Sequence, residues 1–460
     1  MNKRIRNTLF NYCSRSILLL FHTLLFSLIW YNHYLPQLAI PFYRRGSYVI
    51  LVLFFLFLTI SNQLFGGLRL GHYKTLDSIV VRTLALFTSY FMIYLVICLL
   101  AYRFLSITYI LFTIGGGFIF NCLWTCLSNH IYYVLNPPQQ MLLIYGNSSV
   151  SEISDKITAR KEKYNITHQV HYSIGEEQLK EMITAYDSVI LHDLSASLRN
   201  HLIKYCYETS TPVYITPKLY DILIRGATVM DLFDTPLLLM KNEGISPLQA
   251  CIKRSMDIFV SLLGLIVLSP IMLIIVLLMK CFDPGPVLYR QTRLTLHGKP
   301  FRILKFRSMC VDAEKDSIQL MSKSDDRITP LGKLLRRTHL DELPQLINIL
   351  KGEMSLVGPR PERPEIAAVY EETIPEFSYR LHVKAGLTGY AQVYGKYNST
   401  PYDKLKLDLT YIQNYSVFLD IKLLFMTGRT LFLPDHAEGI NPNFKTALRT
   451  EAEPDSLKNK

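Results

Sequence analysis

The sequence predicts a membrane protein of α+β class, with four N-terminal transmembrane helices, a Rossmann-like α/β module and a C-terminal domain anchored by a re-entrant helix. Long apolar runs fill the N-terminal region, strand-like and helix-like segments then alternate, and a later apolar run carries a central proline. We predict these boundaries: 1–135 for the helices, 139–240 for the module, 250–282 for the re-entrant helix, 283–439 for the C-terminal domain and 440–460 for a polar tail.

Composition favours a membrane protein with a basic face. The chain has 460 residues, of which 50% are hydrophobic, and its net charge is +12. A chain that is both apolar and basic suits a protein whose cationic surface meets anionic lipids or anionic substrates. We expect no nucleic-acid partner, because the sequence lacks aromatic platforms and a recognised nucleic-acid-binding fold. The eight cysteines are scattered, which predicts reduced thiols and no zinc site.

The N-terminal runs are each close to the ~20 residues that cross a bilayer as a helix. They cover residues 16–35, 48–64, 79–100 and 105–127. Basic residues precede the first run and follow the fourth, so the positive-inside rule puts both ends of this region in the cytoplasm. No ionisable residue deep inside the runs indicates a transport path, and we interpret the region as an anchor.

Residues 139–240 are typical of a small parallel α/β module. Strand-like segments near residues 141–145, 188–191 and 212–215 alternate with polar helical stretches. Gly146 stands alone, so the glycine fingerprint of a dinucleotide site is missing and we assign no cofactor. A regulatory or assembly role is our default interpretation, with a vestigial nucleotide fold as the alternative.

The later apolar run, residues 258–279, has Ser269 and Pro270 at its middle and basic residues at both ends. Each arm would hold about 11 residues, or ~16 Å of helix, roughly half of a ~30 Å membrane core. These features predict a helix that enters one leaflet, turns at Ser269 and Pro270, and leaves on the same side. Serine and neighbouring backbone would satisfy the carbonyl that proline frees. The alternative is a proline-kinked spanning helix, which would place the C-terminal domain outside the cell.

The candidate chemistry lies around two adjacent acids. Asp341 and Glu342 stand between the pair Arg336–Arg337 and a segment that contains Arg360. Apolar residues at helical spacing follow, which predicts a short helix that begins near Asp341. The positive end of such a helix favours a carboxylate or a phosphate. The alternative is a helix cap inside a solvated salt-bridge cluster.

A basic segment precedes this region. Arg302, Lys305 and Arg307 alternate with apolar residues in HGKPFRILKFRSM. A basic strand beside the membrane would suit a lipid phosphate or a nucleotide diphosphate. Simple attraction to anionic lipid is the alternative interpretation, and the two are compatible.

Several blocks carry a resemblance to a known family. After SP at 269–270 they read FDPGPVLYRQTR, HGKPFRILKFRSM, DDRITPLGKLLRRTHLDELPQLINILKGEMSLVGPRP, KAGLTGYAQVYGK and DLTYIQNYSVFLDIKLL. They resemble the bacterial sugar transferase family, the monotopic polyprenyl-phosphate phosphoglycosyl transferases. The N-terminal helices and the module make the chain similar to long-form members, such as the undecaprenyl-phosphate glucose and galactose phosphotransferases.

The resemblance implies a two-step exchange. A UDP-sugar gives its sugar phosphate to an enzyme carboxylate and UMP leaves; undecaprenyl phosphate then takes the sugar phosphate. This would be the first membrane step of exopolysaccharide, capsule or O-antigen lipopolysaccharide synthesis. It implies a multi-pass protein of the bacterial inner membrane with a cytoplasmic catalytic domain that contacts membrane lipids. The sugar, the pathway and the subunit count, including a homo-oligomer, stay open.

Residue by residue, the resemblance puts the nucleophile on Asp341. Glu342 becomes its partner, as a Mg²⁺ ligand or a proton handler, and Asp341 and Glu342 together are the implied metal ligands. Arg360 falls at a phosphate-binding position. Four further basic residues are candidates for phosphate binding: Arg336, Arg337, Lys305 and Arg307.

Four positions depart from the family pattern: Thr295 stands where Gly is expected, Ala385 where Pro is usual, Tyr394 where Asn is common and Lys396 where Arg is common. These departures leave the sugar and the finer phosphate contacts open. We interpret His339 as an incidental neighbour of the dyad, because a lone histidine without a placed partner is weak evidence. Asp408 lies on a predicted packing helix, either facing the site or solvated at the surface.

Two rival functions follow from the same residues. The first is a non-catalytic membrane scaffold for polysaccharide assembly, built on a decayed enzyme. The intact Asp341, Glu342 and Arg360 argue against decay. The second is a multi-span transferase that works without a covalent step, which conflicts with the large soluble share of the chain.

Overall fold

The computed structural model describes residues 3–38, 45–146, 150–240, 244–282, 285–309, 328–395 and 399–432. Two compact units divide the chain, Met1–Pro217 and Lys218–Lys460. Some predictions lie outside the described residues: those on the tail at 440–460, on Asp283 and Pro284 at the start of the C-terminal domain, and on Lys396.

Long apolar helices open the first unit: α1 Lys3–Ile29, α2 Gly46–Phe65, α3 Thr75–Ala101 and α4 Thr108–Leu135. All of them are long and apolar enough to cross a membrane, α1 together with the π and 3₁₀ turns that continue it to Gln37. The prediction of long apolar helices in this region is therefore confirmed. Buried aromatic rings join them, with 4.3 Å between the ring centroids of Phe26 and Phe54 and 4.9 Å between those of Phe54 and Tyr90.

A histidine and an arginine are buried among the described residues of these helices, so the expectation that the runs hold no ionisable residue at depth is wrong. His22 Nε2 lies 2.9 Å from Asn121 Oδ1. Arg82 is 4% exposed and donates hydrogen bonds to the Gly67 carbonyl and the Thr125 hydroxyl. Neighbouring polar groups therefore accommodate both side chains inside the bundle.

A parallel sheet follows the helices in the first unit. Its strands and helices are β1 Gln139–Tyr145, α5 Val150–Thr158, β2 Tyr164–His171, α6 Glu176–Ile183, β3 Ser188–His192, α7 Ala196–Glu208 and β4 Val213–Ile215. The strand order is β2-β1-β3-β4 and every pairing is parallel. The prediction of a parallel α/β region is confirmed. Arg160 ties this region to the loop after α2 by donating to the carbonyls of Gly71 and His72 at 2.9 and 2.7 Å.

The second unit begins within the range 139–240. Its elements are α8 Leu219–Arg225, β5 Thr228–Leu232, β6 Thr235–Leu239, α9 Pro247–Phe282, β7 Leu288–Leu294, β8 Pro300–Phe306, α10 Pro330–Arg337, α11 Gln345–Lys351, β9 Ser355–Val357, α12 Pro364–Thr373, β10 Gly386–Thr388, α13 Tyr390–Tyr394, α14 Pro401–Gln413 and α15 Val417–Phe432. β5–β6 and β7–β8 are antiparallel pairs, and β9–β10 is a parallel pair. The main core lies where α11, β9, α14 and α15 meet, and it buries Ile349, Val357, Leu405 and Leu423.

α9 is helical through Pro270. Proline has no N–H, so the carbonyl of Ile266 loses its helical donor. The Ser269 hydroxyl donates to that carbonyl at 2.8 Å. The predicted role of a serine beside the proline is confirmed at this position.

The two arms of α9, before and after Pro270, both pack against other elements of the second unit. In the first arm, a Cβ placed on Gly264 would lie 3.3 Å from Leu346 Cδ1 of α11. In the second arm, Ile275 and Met279 join a buried cluster with Phe306 of β8 and Leu335 of α10. The opposite face of α9 leaves large apolar side chains exposed, among them Phe259, Leu263, Ile266, Val267, Leu273 and Ile274.

Candidate active site

The adjacent acids lie in a turn before α11 rather than at its first residue. Leu340–Glu342 forms a 3₁₀ turn, and α11 begins at Gln345 with Pro344 as its N-cap. Because Pro344 has no N–H, an α-helical hydrogen bond from this residue back to Leu340 is impossible. The backbone forms instead the hydrogen bonds of a 3₁₀ turn, which join residues three apart in the chain, such as Leu343 N–H to Leu340 O at 3.3 Å. α11 thus begins about one helical turn after the predicted start near Asp341.

Asp341 is a buried carboxylate with unused acceptor capacity. Asp341 is 8% exposed. Within the described parts of the second unit, no hydrogen bond or ion pair reaches its carboxylate oxygens. Burial raises the pKa of Asp341, and the charge of Glu342 adds to this rise, while the positive charges of Lys305 and Arg336 oppose it.

The pKa of Glu342 is shifted in the opposite direction to that of Asp341. Lys305 Nζ and Arg360 Nη2 lie 2.7 and 2.9 Å from the same oxygen, Glu342 Oε1. Burial alone would raise the pKa of Glu342, but the two cations outweigh it and place this pKa well below its usual range. The charge of Glu342 in turn raises the pKa of Arg360. The two neighbouring acids therefore differ: one is stabilised as an anion and the other is not.

The remaining candidates for phosphate binding occupy different positions. Arg336 donates from Nε to the Ser308 hydroxyl at 2.7 Å and is near enough to Asp341 to lower its pKa. Arg337 is exposed and makes no hydrogen bond or ion pair with other described residues. Arg307 is 6% exposed, and a Cβ on Gly285 would lie 2.1 Å from its Nη1. The structure thus brings Lys305, Arg336 and Arg360 to the dyad, whereas Arg337 faces solvent.

The sequence interpretation missed Arg380, which braces the segment that carries Arg360. Arg380 Nη2 donates to the Arg360 carbonyl at 3.0 Å and lies 2.7 Å from Asp408 Oδ2. Asp408 is 1% exposed, so its interpretation as a solvated surface residue is wrong. Burial raises the pKa of Asp408 to about 6, although Arg380 lowers it. The signal was available, because Asp408 shares a helical face with the apolar Leu405.

A second buried network fixes the start of α9. Lys253 Nζ lies 2.6 Å from Asp420 Oδ2 and donates to the Val357 carbonyl at 2.8 Å. The Tyr411 hydroxyl donates to Asp420 Oδ1 at 2.7 Å. Asp257 accepts hydrogen bonds from the Ser355 hydroxyl and the Leu356 N–H at 3.0 and 2.9 Å. These bonds join α9 to β9, α14 and α15, and so set the position of α11 beside it.

The donor chemistry of the dyad fits a magnesium ion. Across the described residues, no group of three or more His, Cys, Asp or Glu side chains could hold a metal by itself. Mg²⁺ is commonly held by only one or two carboxylates, with waters and substrate phosphates completing its shell. Asp341 and Glu342 offer such a pair, since Asp341 accepts no hydrogen bond from the described residues and Glu342 is stabilised as an anion.

Comparison with known proteins gives the same assignment as the motifs. Residues 248–434 match the family model described as bacterial sugar transferase. The UDP-N-acetylgalactosamine-undecaprenyl-phosphate N-acetylgalactosaminephosphotransferase of Aeromonas hydrophila is 36% identical over 253 residues, which cover 54% of this chain and 59% of that protein. The UDP-glucose:undecaprenyl-phosphate glucose-1-phosphate transferase of Escherichia coli strain K12 is 38% identical over 239 residues, 49% of this chain and 50% of that protein.

The match to these two relatives spans about half of their length. A third relative is covered almost completely: the exopolysaccharide production protein PSS of Rhizobium leguminosarum bv. phaseoli is 42% identical over 185 residues, which are 38% of this chain and 92% of that protein. The region matched by the family model contains α9 apart from its first residue, the adjacent acids Asp341 and Glu342, and Arg360. Through this region, the chain belongs to the bacterial sugar transferase family.

Proposed function

We propose that this protein transfers a sugar 1-phosphate from a UDP-sugar to undecaprenyl phosphate and releases UMP. The observation that carries the proposal is the pair of unlike carboxylates: Asp341 is buried without a hydrogen-bond donor among the described residues, and Glu342 is ion-paired to Lys305 and Arg360. The names of two relatives, which act on UDP-sugars and undecaprenyl phosphate, support the same reaction.

The exchange proceeds in two displacements. An Asp341 carboxylate oxygen attacks the sugar-bearing phosphorus of the UDP-sugar, an acyl phosphate bond forms, and the bond to the UMP oxygen breaks. A phosphate oxygen of undecaprenyl phosphate then attacks the same phosphorus. The acyl phosphate bond breaks, the lipid diphosphate sugar leaves, and Asp341 is again a free carboxylate. A carboxylate whose lone pairs are not taken by hydrogen bonds is suited to this nucleophilic role.

The cations beside the dyad stabilise the charge of the reacting phosphates. Phosphoryl transfer depends chiefly on positioning and on neutralisation of charge. Arg360 is half exposed at the side chain, so its guanidinium can contact a phosphate while it holds Glu342. Mg²⁺, bound by Asp341 and Glu342, would supply further neutralisation of the phosphate oxygens. The depressed pKa of Glu342 favours a role as metal ligand over a role as proton handler near neutral pH.

We propose that the protein acts at the cytoplasmic face of the bacterial inner membrane. In this arrangement α1–α4 span the bilayer, and α9 is a re-entrant helix that turns at Ser269 and Pro270 with both ends in the cytoplasm. Two observations support it: both arms of α9 pack on the same unit, and the outer face of α9 is apolar and exposed. The name of the Rhizobium relative favours exopolysaccharide synthesis among the pathways open to such an enzyme.

The reaction is tested with full-length protein in detergent, undecaprenyl phosphate, Mg²⁺ and a panel of UDP-hexoses, with UMP release as the readout. We expect UMP release with at least one sugar, and a protein mass increase equal to the sugar phosphate when undecaprenyl phosphate is omitted. Asp341→Asn is expected to lower turnover by more than about a thousandfold and to abolish the mass increase. Asp231→Asn, which changes an exposed acid in β5, is the matched control.

The rival function, a non-catalytic scaffold, gives different results in the same assay. A scaffold releases no UMP with any sugar and forms no adduct. Appreciable turnover by Asp341→Asn would remove Asp341 as the nucleophile. The same variant should unfold at an equal or higher temperature than the parent protein, because the raised pKa of Asp341 means that its charge opposes folding at neutral pH.

A further inference from the structure

A cavity of about 290 Å³ in the second unit lies at the start of α9. Its polar lining comes from Lys253, Arg254, Asp257, His297, His382 and Lys384. This volume is near the lower end of the ~300–1,000 Å³ range of small-ligand sites. A cavity of this size with mostly basic walls suits a small anionic group.

The cavity is separate from the acidic dyad. Arg254 donates from its two Nη atoms to the carbonyls of Ile349 and Leu350, at 2.6 and 2.7 Å. These carbonyls belong to the C-terminal end of α11, whereas Asp341 precedes the N-terminal end of the same helix. α11 is seven residues long, about 10 Å at 1.5 Å per residue. The length of α11 therefore separates the cavity from the candidate active site.

Most of the charges at the cavity already have partners. Lys253 pairs with Asp420 at 2.6 Å, and Asp257 accepts two hydrogen bonds from β9. Arg254 is bound to the carbonyls at the end of α11. Lys384 differs, because it makes no hydrogen bond or ion pair with any residue in the described parts of the unit. It is the cation in this lining that is available to a ligand.

The surroundings of Lys384 are electropositive. Burial lowers the pKa of Lys384, and the neighbouring Arg254 and Lys253 lower it further, while Asp257 acts in the opposite direction. A bound anion would relieve this repulsion between like charges. The local electrostatics therefore favour an anionic ligand independently of the shape of the cavity.

The position of the cavity indicates the source of that anion. Asp257 lines the cavity, and the next two residues of α9, Ile258 and Phe259, are apolar and 41% and 68% exposed. In the membrane arrangement proposed above, these two side chains meet the lipid, and the cavity lies at the level of the lipid phosphates. Basic side chains at this level attract anionic headgroups.

We propose that this cavity binds the phosphate headgroup of an anionic membrane lipid, with Lys384 as its contact and with the charge of the carbonyl-bound Arg254 beside it. The site rests on the proposed membrane position of α9, and it does not depend on the transfer reaction at Asp341. Lipid bound here would hold the N-terminal end of α9, and through Arg254 the end of α11, at the membrane surface.

The test uses the full-length protein in a neutral detergent, titrated with short-chain phosphatidylglycerol while Tm is recorded. Phosphatidylcholine and inorganic phosphate are titrated in parallel. We expect Tm to rise with phosphatidylglycerol but not with phosphatidylcholine or inorganic phosphate. We expect Lys384→Gln to weaken the apparent affinity for phosphatidylglycerol about tenfold, because one charge-assisted contact is lost. Lys384→Arg should keep most of the affinity. Lys299→Gln removes the same charge from an exposed lysine on the adjacent loop and should leave the affinity unchanged.

Several results would overturn the proposal. An equal loss of affinity in Lys384→Gln and Lys299→Gln would mean diffuse attraction to a basic surface. An equal response to phosphatidylcholine would remove the requirement for an anion, and saturation by inorganic phosphate at the same concentration would assign the cavity to a soluble ligand. Should Lys384→Gln fail to fold, the affinity of the parent protein is measured against salt concentration, and a salt-independent affinity would also refute a charge-based site.

Discussion

The hydroxyl of Thr295 bridges two backbone segments: it accepts a hydrogen bond from the N–H of Ala385 at 3.2 Å and donates one to the carbonyl of Glu353 at 2.8 Å. Thr295 and Ala385 stand at two of the positions where the family resemblance leads us to expect Gly and Pro, respectively. Glycine has no hydroxyl and proline has no N–H, so the family's usual pair cannot form this bond. One hydrogen bond therefore connects the two positions, and it joins the loop before β8 to the segment before β10.

Thr295→Val tests this bridge, because valine keeps the shape of threonine without its hydroxyl. It leaves the N–H of Ala385 and the carbonyl of Glu353 without their partner in a buried position, so the protein should lose about 1–3 kcal/mol of stability. Thr295→Ser, which keeps the hydroxyl, is the control and should unfold within a degree or so of the parent. Thermal unfolding in detergent measures both, and equal Tm values for valine and serine would show that the bridge contributes nothing.

Glu342→Gln should destabilise the protein at neutral pH by about 1–2 kcal/mol, a range reduced by the half-exposed position of Arg360. The pKa of Glu342 is lower in the folded protein than its ordinary value of 4.5. A depressed pKa stabilises the fold above the ordinary value, and this stabilisation is lost as the pH falls through the folded-state pKa. The difference in Tm between the parent and Glu342→Gln should therefore shrink as the pH is lowered below 4.5. A constant difference across the acidic range would refute the ion-paired state.

The buried pair Lys253 and Asp420 should behave as a coupled unit. Lys253→Met leaves the carboxylate of Asp420 buried without its cation, although the Tyr411 hydroxyl still donates to it, and the expected loss is about 3–5 kcal/mol. Replacing both residues, Lys253→Met with Asp420→Leu, removes both charges and should cost less than Lys253→Met alone. A double-mutant cycle completes the test with Asp420→Leu alone. A loss in Tm for the double variant that equals the sum of the two single losses would contradict the coupling.

Two native cysteines report on the path of α9. Cys251 and Cys281 are exposed and lie near its two ends. In a variant that retains only these thiols, we expect a membrane-impermeant maleimide to label both in inside-out vesicles and neither in right-side-out vesicles. Variants with one of the two cysteines assign each band. Labelling of the two ends from opposite sides would mean that α9 spans the bilayer, and the proposed cytoplasmic site would be wrong.

Ser269→Ala tests the local support of the proline. It removes the donor to the Ile266 carbonyl and should lower Tm modestly, by the equivalent of about 1 kcal/mol. Pro270→Ala restores a backbone N–H at this position, so Ser269→Ala should have little effect in that background. An equal effect of Ser269→Ala in both backgrounds would show that the hydroxyl acts elsewhere.

Local sequence patterns were sufficient to predict helices and strands where the spacing of apolar residues determines the structure. The apolar runs became α1 to α4 and α9, because a helix satisfies its backbone within one segment and the side chains can remain apolar on every face. The alternating segments after residue 139 became a parallel sheet, since continuous apolar stretches such as residues 141–144 of β1 can be buried on both faces. The sequence neighbours of Pro270 likewise predicted that a serine hydroxyl would donate to the carbonyl that proline frees, and Ser269 donates to the carbonyl of Ile266.

Contacts between distant segments could not be predicted in this way. No local pattern pairs Asp408 with Arg380 or Asp420 with Lys253, because the two members of each pair are separated by 28 and 167 residues, respectively. The position of Asp341 relative to α11 also depended on how a 3₁₀ turn accommodates Pro344. Periodicity places a helix start only to within about one turn.

By itself, the sequence predicted the long apolar helices and the parallel α/β region, and its resemblance to a known family pointed to Asp341, Glu342 and Arg360 as candidate site residues. Only the tertiary structure decided how these groups are charged and paired. Two neighbouring carboxylates of similar intrinsic acidity acquire opposite pKa shifts, because Lys305 and Arg360 converge on one of them and burial dominates at the other. Such convergence depends on residues brought together by folding, and no local pattern along the chain encodes it.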